Sequence, residues 1–234
     1  MRGYKLLHIY GRMTSMKAWS EFKSFWDQSK EHLEHPADSK FLKELKQPSE
    51  SRAVKSANFN FRFPPCPFDG PLKNAKVVIC LANPNYTGLG DNCREIILRQ
   101  RTGEEPLPRE WDKWYSRKLT SKLNIEMDSI RNVVSVLNVC PYESATMDGP
   151  EKRIAAGLPS TWAAQKFLRE GLIPRALSGE LHLIVLRKHE LWGITEGFES
   201  ECIHVERGNE RSGVMSTELG KKIGQWLSNQ PQAV

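Results

Sequence analysis

With 234 residues, 39% of them hydrophobic and 26% charged, the chain has room for one domain plus an extension and an ordinary soluble composition. No apolar run nears the ~20 residues that span a bilayer, and Met1–Met13 is too short and mixed in its apolar stretch for a signal peptide, so no membrane partner and a cytoplasmic location are expected. The net charge of +6 is concentrated in residues 1–63, which hold 12 Lys and Arg against 7 Asp and Glu; a basic extension on a near-neutral body points to a polyanion such as DNA, although solubility alone would explain the same excess.

The extension opens with a helical pattern over Met16 to Lys30, with Trp19, Phe22, Trp26 and Leu33 as an apolar stripe that reads as a packing face. His35-Pro36 breaks it, and Ser39 is expected to cap a second short helix running to Lys46. Gln47 to Ala57 reads as a loop. Phe59-Asn60-Phe61-Arg62-Phe63 alternates like a strand and ends at Pro64-Pro65-Cys66-Pro67. Domain boundaries are therefore expected at 1–63 for a helical extension and 64–234 for the main domain.

Strand one of that domain is Lys76–Ala82, a β-rich run with the character of a buried parallel strand. Helices are expected at about Asn92–Arg101 and Arg109–Leu123, where Trp111, Trp114 and Leu119 read as core. Strand two is Asn132–Leu137, a helix follows over Ser160 to Glu170, strand three is Leu181–Leu186, strand four Cys202–Val205, and a last helix covers Ser216 to Leu227. Strands alternating with helices predict a three-layer α/β/α domain around a central parallel sheet of four strands. The five cysteines form no C-x-x-C pair and predict no disulfides, and a zinc or iron–sulfur site could be built only from dispersed ligands.

Two amides close the first two strands. Asn83 follows strand one and Asn138 follows strand two, 55 residues later. In open α/β sheets the carboxyl ends of the strands line the ligand crevice. A short amide offers both a donor and an acceptor, which suits the edge of a nucleobase. Each also has a plainer explanation, since Asn favours turns and caps local backbone.

Leu81-Ala82-Asn83-Pro84-Asn85, taken with Val136-Leu137-Asn138-Val139, resembles the first and later motifs of the uracil-DNA glycosylase superfamily, in the branch whose first motif carries Asn-Pro. The likeness extends over roughly Pro64 to Gln230. It implies a glycosylase fold, a monomer with no protein partner, and base excision: a nucleotide is flipped from DNA and its N-glycosidic bond is cleaved by water without metal or organic cofactor. By the match, Asn83 positions the water and Asn138 binds the pyrimidine edge, while the backbone at Ala82 and Asn85, with Tyr86 next to it, contacts the base.

Two departures from the pattern bear on substrate. The H-P-S motif that often follows strand four is absent; the chain reads His204-Val205-Glu206-Arg207-Gly208-Asn209-Glu210-Arg211-Ser212-Gly213. Arg207, with Asn209 as the alternative, then stands where the leaving anion needs support, and Arg211, Ser212, Gly213 and Asn209 are the expected DNA contacts. Asn85 stands where uracil-specific members place an excluding Tyr. The implied substrate is uracil or a 5-modified pyrimidine, in base-excision repair or in defence against phage with modified DNA. Tyr86, Trp111, Trp114 and Tyr142 are candidates for a stacking aromatic. A non-catalytic nucleic-acid binder is the competing reading; no G-x-G-x-x-G or Walker-type run supports a nucleotide hydrolase.

Overall fold

Val77–Leu81 and Val134–Asn138 are buried along their whole lengths, as strands covered on both faces must be. In the computed structural model, which describes residues 2–45, 57–84, 93–195, 197–206 and 215–230, they are β3 and β4 of a mostly parallel five-stranded sheet. The other members are β2 (Phe68–Asp69), β6 (His182–Val185) and β7 (Ile203–Val205), in the order β2-β4-β3-β6-β7. Four strands run parallel. The expected four-stranded parallel sheet is thus extended by an antiparallel edge, in which Phe68 pairs with Leu137 and Asp69 with Val136. Two residues between Cys66-Pro67 and Gly70 are too few for a period-2 signal to show. Gly70 ends this edge at φ +86°, where a Cβ would lie 2.5 Å from the Val134 carbonyl oxygen.

Alternate residues of the strands feed opposite faces. Val78, Cys80, Leu137, Leu183 and Val185 join one core with Phe22, Trp26, Ile154, Ala164 and Phe167. Val77, Ile79, Val136 and Ile184 join the other with Ile97, Trp111, Tyr115, Leu119 and Ile223. Helices therefore cover both faces. The first core takes in helix Arg2–Asp27, whose Phe22 stacks on Phe167 at 4.5 Å and 8°. Leu33, read as part of its stripe, lies beyond the helix and is exposed.

The second helix starts earlier than expected, at Pro36, and its cap is His35 rather than Ser39. Nδ1 of His35 accepts from the Ala37 N–H at 3.2 Å, while the Ser39 hydroxyl donates to Glu34 at 2.6 Å. Proline at the first helical position presets φ and so moves the start upstream. Asp38, on this helix, accepts from Tyr142 Oη at 2.7 Å and from the Ser160 N–H at 2.9 Å, and Tyr142 Oη accepts from the His35 N–H at 3.0 Å. That buried network leaves Tyr142 fixed as a structural group, so it does not serve as the stacking aromatic.

Helices Met127–Arg131 and Gly149–Gly157 add to those expected; Pro150 at the start of the second marks it. The expected single helix over Arg109–Leu123 is broken into short turns with a π segment at Ser116–Thr120. A second ribbon pairs β1 (Phe59–Asn60) with β5 (Glu143–Ser144). Helix Thr217–Ser228 is capped by Ser216, whose hydroxyl accepts from the Leu219 N–H at 3.2 Å.

His182 and His204 meet between β6 and β7, Nδ1 to Nε2 at 3.0 Å, with Trp226 edge-on to His182. Burial, with the field of Lys222, holds both imidazoles down at about 4, and in His182 the neighbouring His204 adds to the effect. In the unfolded chain they titrate near 6.5. Between those values the unfolded state binds more protons, so their contribution to stability is complete above about pH 6.5 and is lost as pH falls towards 4. The two imidazoles face each other and titrate as one coupled pair, so the loss is smaller than the sum of two independent shifts. Urea melts at stepped pH check this against His204→Asn, whose stability should fall less over the same window. The difference between the two proteins isolates the pair, because the buried acids Asp38 and Asp69 have raised pKa values and contribute the opposite slope.

Candidate functional site

The chain leaves β3 towards β4 on one side and later returns to place β6 on the other, so the strand order reverses at β3. Ligands of open α/β sheets bind beyond the carboxyl ends of the strands at such a reversal. Asn83 and Asn138 both lie at that end. Leu81 is in register with Asn138, the Val139 N–H donates to the Leu81 carbonyl at 3.0 Å, and the Cys140 N–H donates to the Ala82 carbonyl at 2.9 Å. The Ala82 carbonyl thus already serves the sheet.

Asn83 is buried. Its Nδ2 donates to the Pro84 carbonyl at 2.9 Å and to the Ser144 carbonyl at 2.7 Å. Both amide hydrogens are committed, so the amide cannot flip without losing two bonds, and Oδ1 is the atom left for a ligand. Ser144 is held in turn by the β1–β5 ribbon, where it pairs with Phe59. Residues of the N-terminal extension therefore help to aim Asn83.

Asn138 is 2% exposed. Its backbone N–H donates to the Pro67 carbonyl at 2.7 Å, and its Nδ2 donates to the Cys66 carbonyl at 3.1 Å. Its Oδ1 is buried and accepts no hydrogen bond. An unsatisfied buried acceptor costs about 1–3 kcal/mol and is uncommon in native proteins. The Pro65-Cys66-Pro67 segment that fixes Asn138 is itself strapped down: the Cys66 N–H donates to the Pro141 carbonyl at 2.8 Å, and Arg101 Nη2 donates to the Pro65 carbonyl at 2.8 Å.

Cations gather past the end of β6. The Leu186 N–H donates to the Cys80 carbonyl at 3.1 Å, which continues the β3–β6 register and sets Arg187 beside Ala82. Lys188 adopts φ +53°, a left-handed conformation unusual for a side chain of this size, and pairs with Asp148 at 2.7 Å. Partial burial, aided by the like charges of Arg117 and Arg187, holds the Lys118 ammonium below its usual pKa. These groups carry no motif, and only the strand register places Arg187 beside the end of β3.

Asn85, Tyr86, Arg207, Asn209, Arg211, Ser212 and Gly213 lie outside the described residues. His204 belongs to β7 and is engaged by His182, the first residue of β6, away from the carboxyl ends of the strands. Trp111 and Trp192 are buried in the core. All five cysteines are buried thiols, and burial pushes that of Cys140 up to about 12. Among the described residues no group of three His, Cys, Asp or Glu is arranged to hold a metal, and no helix is long and apolar enough to cross a membrane.

Two clefts lie elsewhere. One, of about 490 Å³, opens at the amino end of β4, far from Asn138; Arg99 and Glu110 pair across it at 3.5 Å, and Arg109 and Asp128 at 3.4 Å. The other, of about 180 Å³, is a shallow groove between helix Arg2–Asp27 and helix Pro159–Phe167. Sequence reasoning missed Ser144 and Cys66, whose backbone carbonyls accept from the two amides; a backbone carbonyl has no signature in a single sequence. No protein-family model and no curated protein matches the chain.

Proposed function

We propose that the protein is a DNA glycosylase that hydrolyses the N-glycosidic bond of a flipped-out uracil-like or 5-modified pyrimidine and leaves an abasic site. The observation that carries this reading is the buried, unpartnered Oδ1 of Asn138 beside the end of β3, where Asn83 is locked in one orientation. A pyrimidine edge that presents an N–H donor, either the ring imide of uracil or the amino group of a cytosine, satisfies that acceptor. The cost of the orphaned acceptor is then recovered on binding, which favours the base that fits over one that does not.

The chemistry asks for orientation more than for proton abstraction. The bond breaks towards an oxocarbenium-like sugar and an anionic base, and water attacks the anomeric carbon. A carboxamide does not deprotonate water at neutral pH, so Asn83 holds the water through Oδ1, and its contribution is positional. Negative charge accumulates on the departing base and calls for a nearby donor or cation. Arg207 is assigned that task, and Arg187 past β6 is the proposed contact to a flanking phosphate. The basic residues 1–63 add phosphate affinity without sequence preference.

The assay is direct. DNAs carrying uracil or a 5-modified pyrimidine are incubated with the protein and scored for alkali-labile abasic sites. DNA retained without abasic sites on any of them would make the protein a binder on the same scaffold. A 5-substituted base is the expected substrate, because Asn85 replaces the side chain that excludes such groups. Asn85→Tyr should then abolish cleavage of the bulky base by steric exclusion, with an unchanged thermal melt. Efficient excision of uracil together with inertness towards every 5-modified pyrimidine would make the protein an ordinary repair enzyme.

A further inference from the structure

We infer that Asp69 is a positioning residue for Asn138, acting through Cys66, so that the ionisation of one buried carboxyl sets the aim of the base-reading amide. This inference rests on the base-reading role proposed for Asn138. Asp69 sits on the antiparallel edge β2, in register with Val136 and two residues away from Asn138 on the partner strand. Its side chain is 7% exposed and lies among Cys66, Tyr115 and the apolar groups of the second core.

Its carboxylate accepts twice. The Cys66 thiol donates to Oδ1 at 3.3 Å, with the Phe68 carbonyl as its alternative acceptor at 3.6 Å, and the Tyr115 hydroxyl donates to Oδ2 at 3.1 Å. The same Cys66 presents its carbonyl to Asn138 Nδ2 at 3.1 Å. Cys66 is therefore a short link between a buried carboxylate and the recognition amide. Its side chain is anchored on one side and its carbonyl sets the amide plane on the other. That plane decides whether the pocket offers an acceptor or a donor, and here it offers Oδ1.

A fully apolar residue would fill the Asp69 position at lower cost, because burying a carboxylate is unfavourable unless its hydrogen bonds compensate. Burial lifts the Asp69 carboxyl to about 7, against the pull of Cys66 and Tyr115. The titratable groups that face it are Cys66 from its own segment and Tyr115 from helix Asp112–Tyr115. Arg131 acts only at one remove, by opposing the rise of the Tyr115 pKa. Protonation removes one acceptor from a site that supplies two donors, so the Cys66 anchor loosens as pH falls through that value.

The test reads Asn138 directly. In the full chain, the side-chain amide resonances of Asn138 are followed by NMR from about pH 5 to about 9. They should shift with a midpoint near 7. The shift should vanish in Asp69→Asn, and its midpoint should rise in Tyr115→Phe, which removes one donor to the carboxylate. Single-turnover excision should fall about tenfold through the same midpoint, and Asp69→Asn should flatten that profile. An Asn138 amide indifferent to pH in the wild-type chain, or one that titrates identically in Asp69→Asn, overturns the inference. A titrating amide in a protein that excises no base supports the coupling and defeats the glycosylase reading; efficient excision with a silent amide does the reverse.

Discussion

Asn83→Ala is expected to lower single-turnover base excision by at least about 100-fold while leaving DNA affinity within a few-fold, the scale seen when one preorganised polar group is removed. The geometry makes the loss specific. Asn83 spends both donor hydrogens on the Pro84 and Ser144 carbonyls, and only its oxygen remains to orient water. Alanine removes that oxygen and takes the amide donor away from the Pro84 and Ser144 carbonyls, so a stability loss of about 1–3 kcal/mol should accompany the kinetic one. Asn83→Asp distinguishes the two effects. A carboxylate is the stronger base, yet it would turn an acceptor towards two carbonyls, and its expected result is lost activity at neutral pH. Excision by Asn83→Ala at the wild-type rate would remove this residue from the mechanism; a gain by Asn83→Asp would show that basicity, not orientation, limits the step.

What the sequence made legible follows from how locally each feature is encoded. Val77–Leu81 and Val134–Asn138 announce themselves because a buried parallel strand must be continuously apolar, and the amides that end them stand out against those runs. The alternation of strands and helices was enough for the α/β class. The edge strand Phe68–Asp69 was not legible, because its pairing with β4 depends on the turn at Gly70 rather than on any pattern of its own. Its absence from the sequence reading also hid Asp69, whose character comes from burial against Tyr115, a residue 46 positions away.

The second amide shows the same division. That Asn138 ends a strand is written in Val136-Leu137-Asn138. That its donor is spent on Cys66, leaving an acceptor, is a long-range fact involving a residue 72 positions earlier. The N-terminal segment repeats the lesson, since a helical stripe is visible in Trp19, Phe22 and Trp26, but Phe167, the ring on which Trp19 and Phe22 pack, is not.

Base selection should depend on which atom of the residue at 138 faces the ligand. Asn138→Ala removes both the acceptor and the donor that Nδ2 gives to the Cys66 carbonyl, so discrimination between bases should collapse by about 10–100-fold, with excision falling as well. Asn138→Asp is more informative. When ionised it has no hydrogen for Cys66, and two acceptors oppose each other at a spacing near 3 Å. When protonated it is isosteric with the amide: its hydroxyl donates to Cys66 and its carbonyl oxygen faces the base. Burial raises the pKa of such a carboxyl. The variant should therefore be poorly active at pH 8 and regain activity as pH falls towards 6, for the same base that the wild-type protein prefers. A pH profile of single-turnover excision on matched uracil and 5-modified substrates decides the matter. An Asn138→Asp enzyme that gains with rising pH, or one as active as the wild type at pH 8, would mean that the base is read by another group.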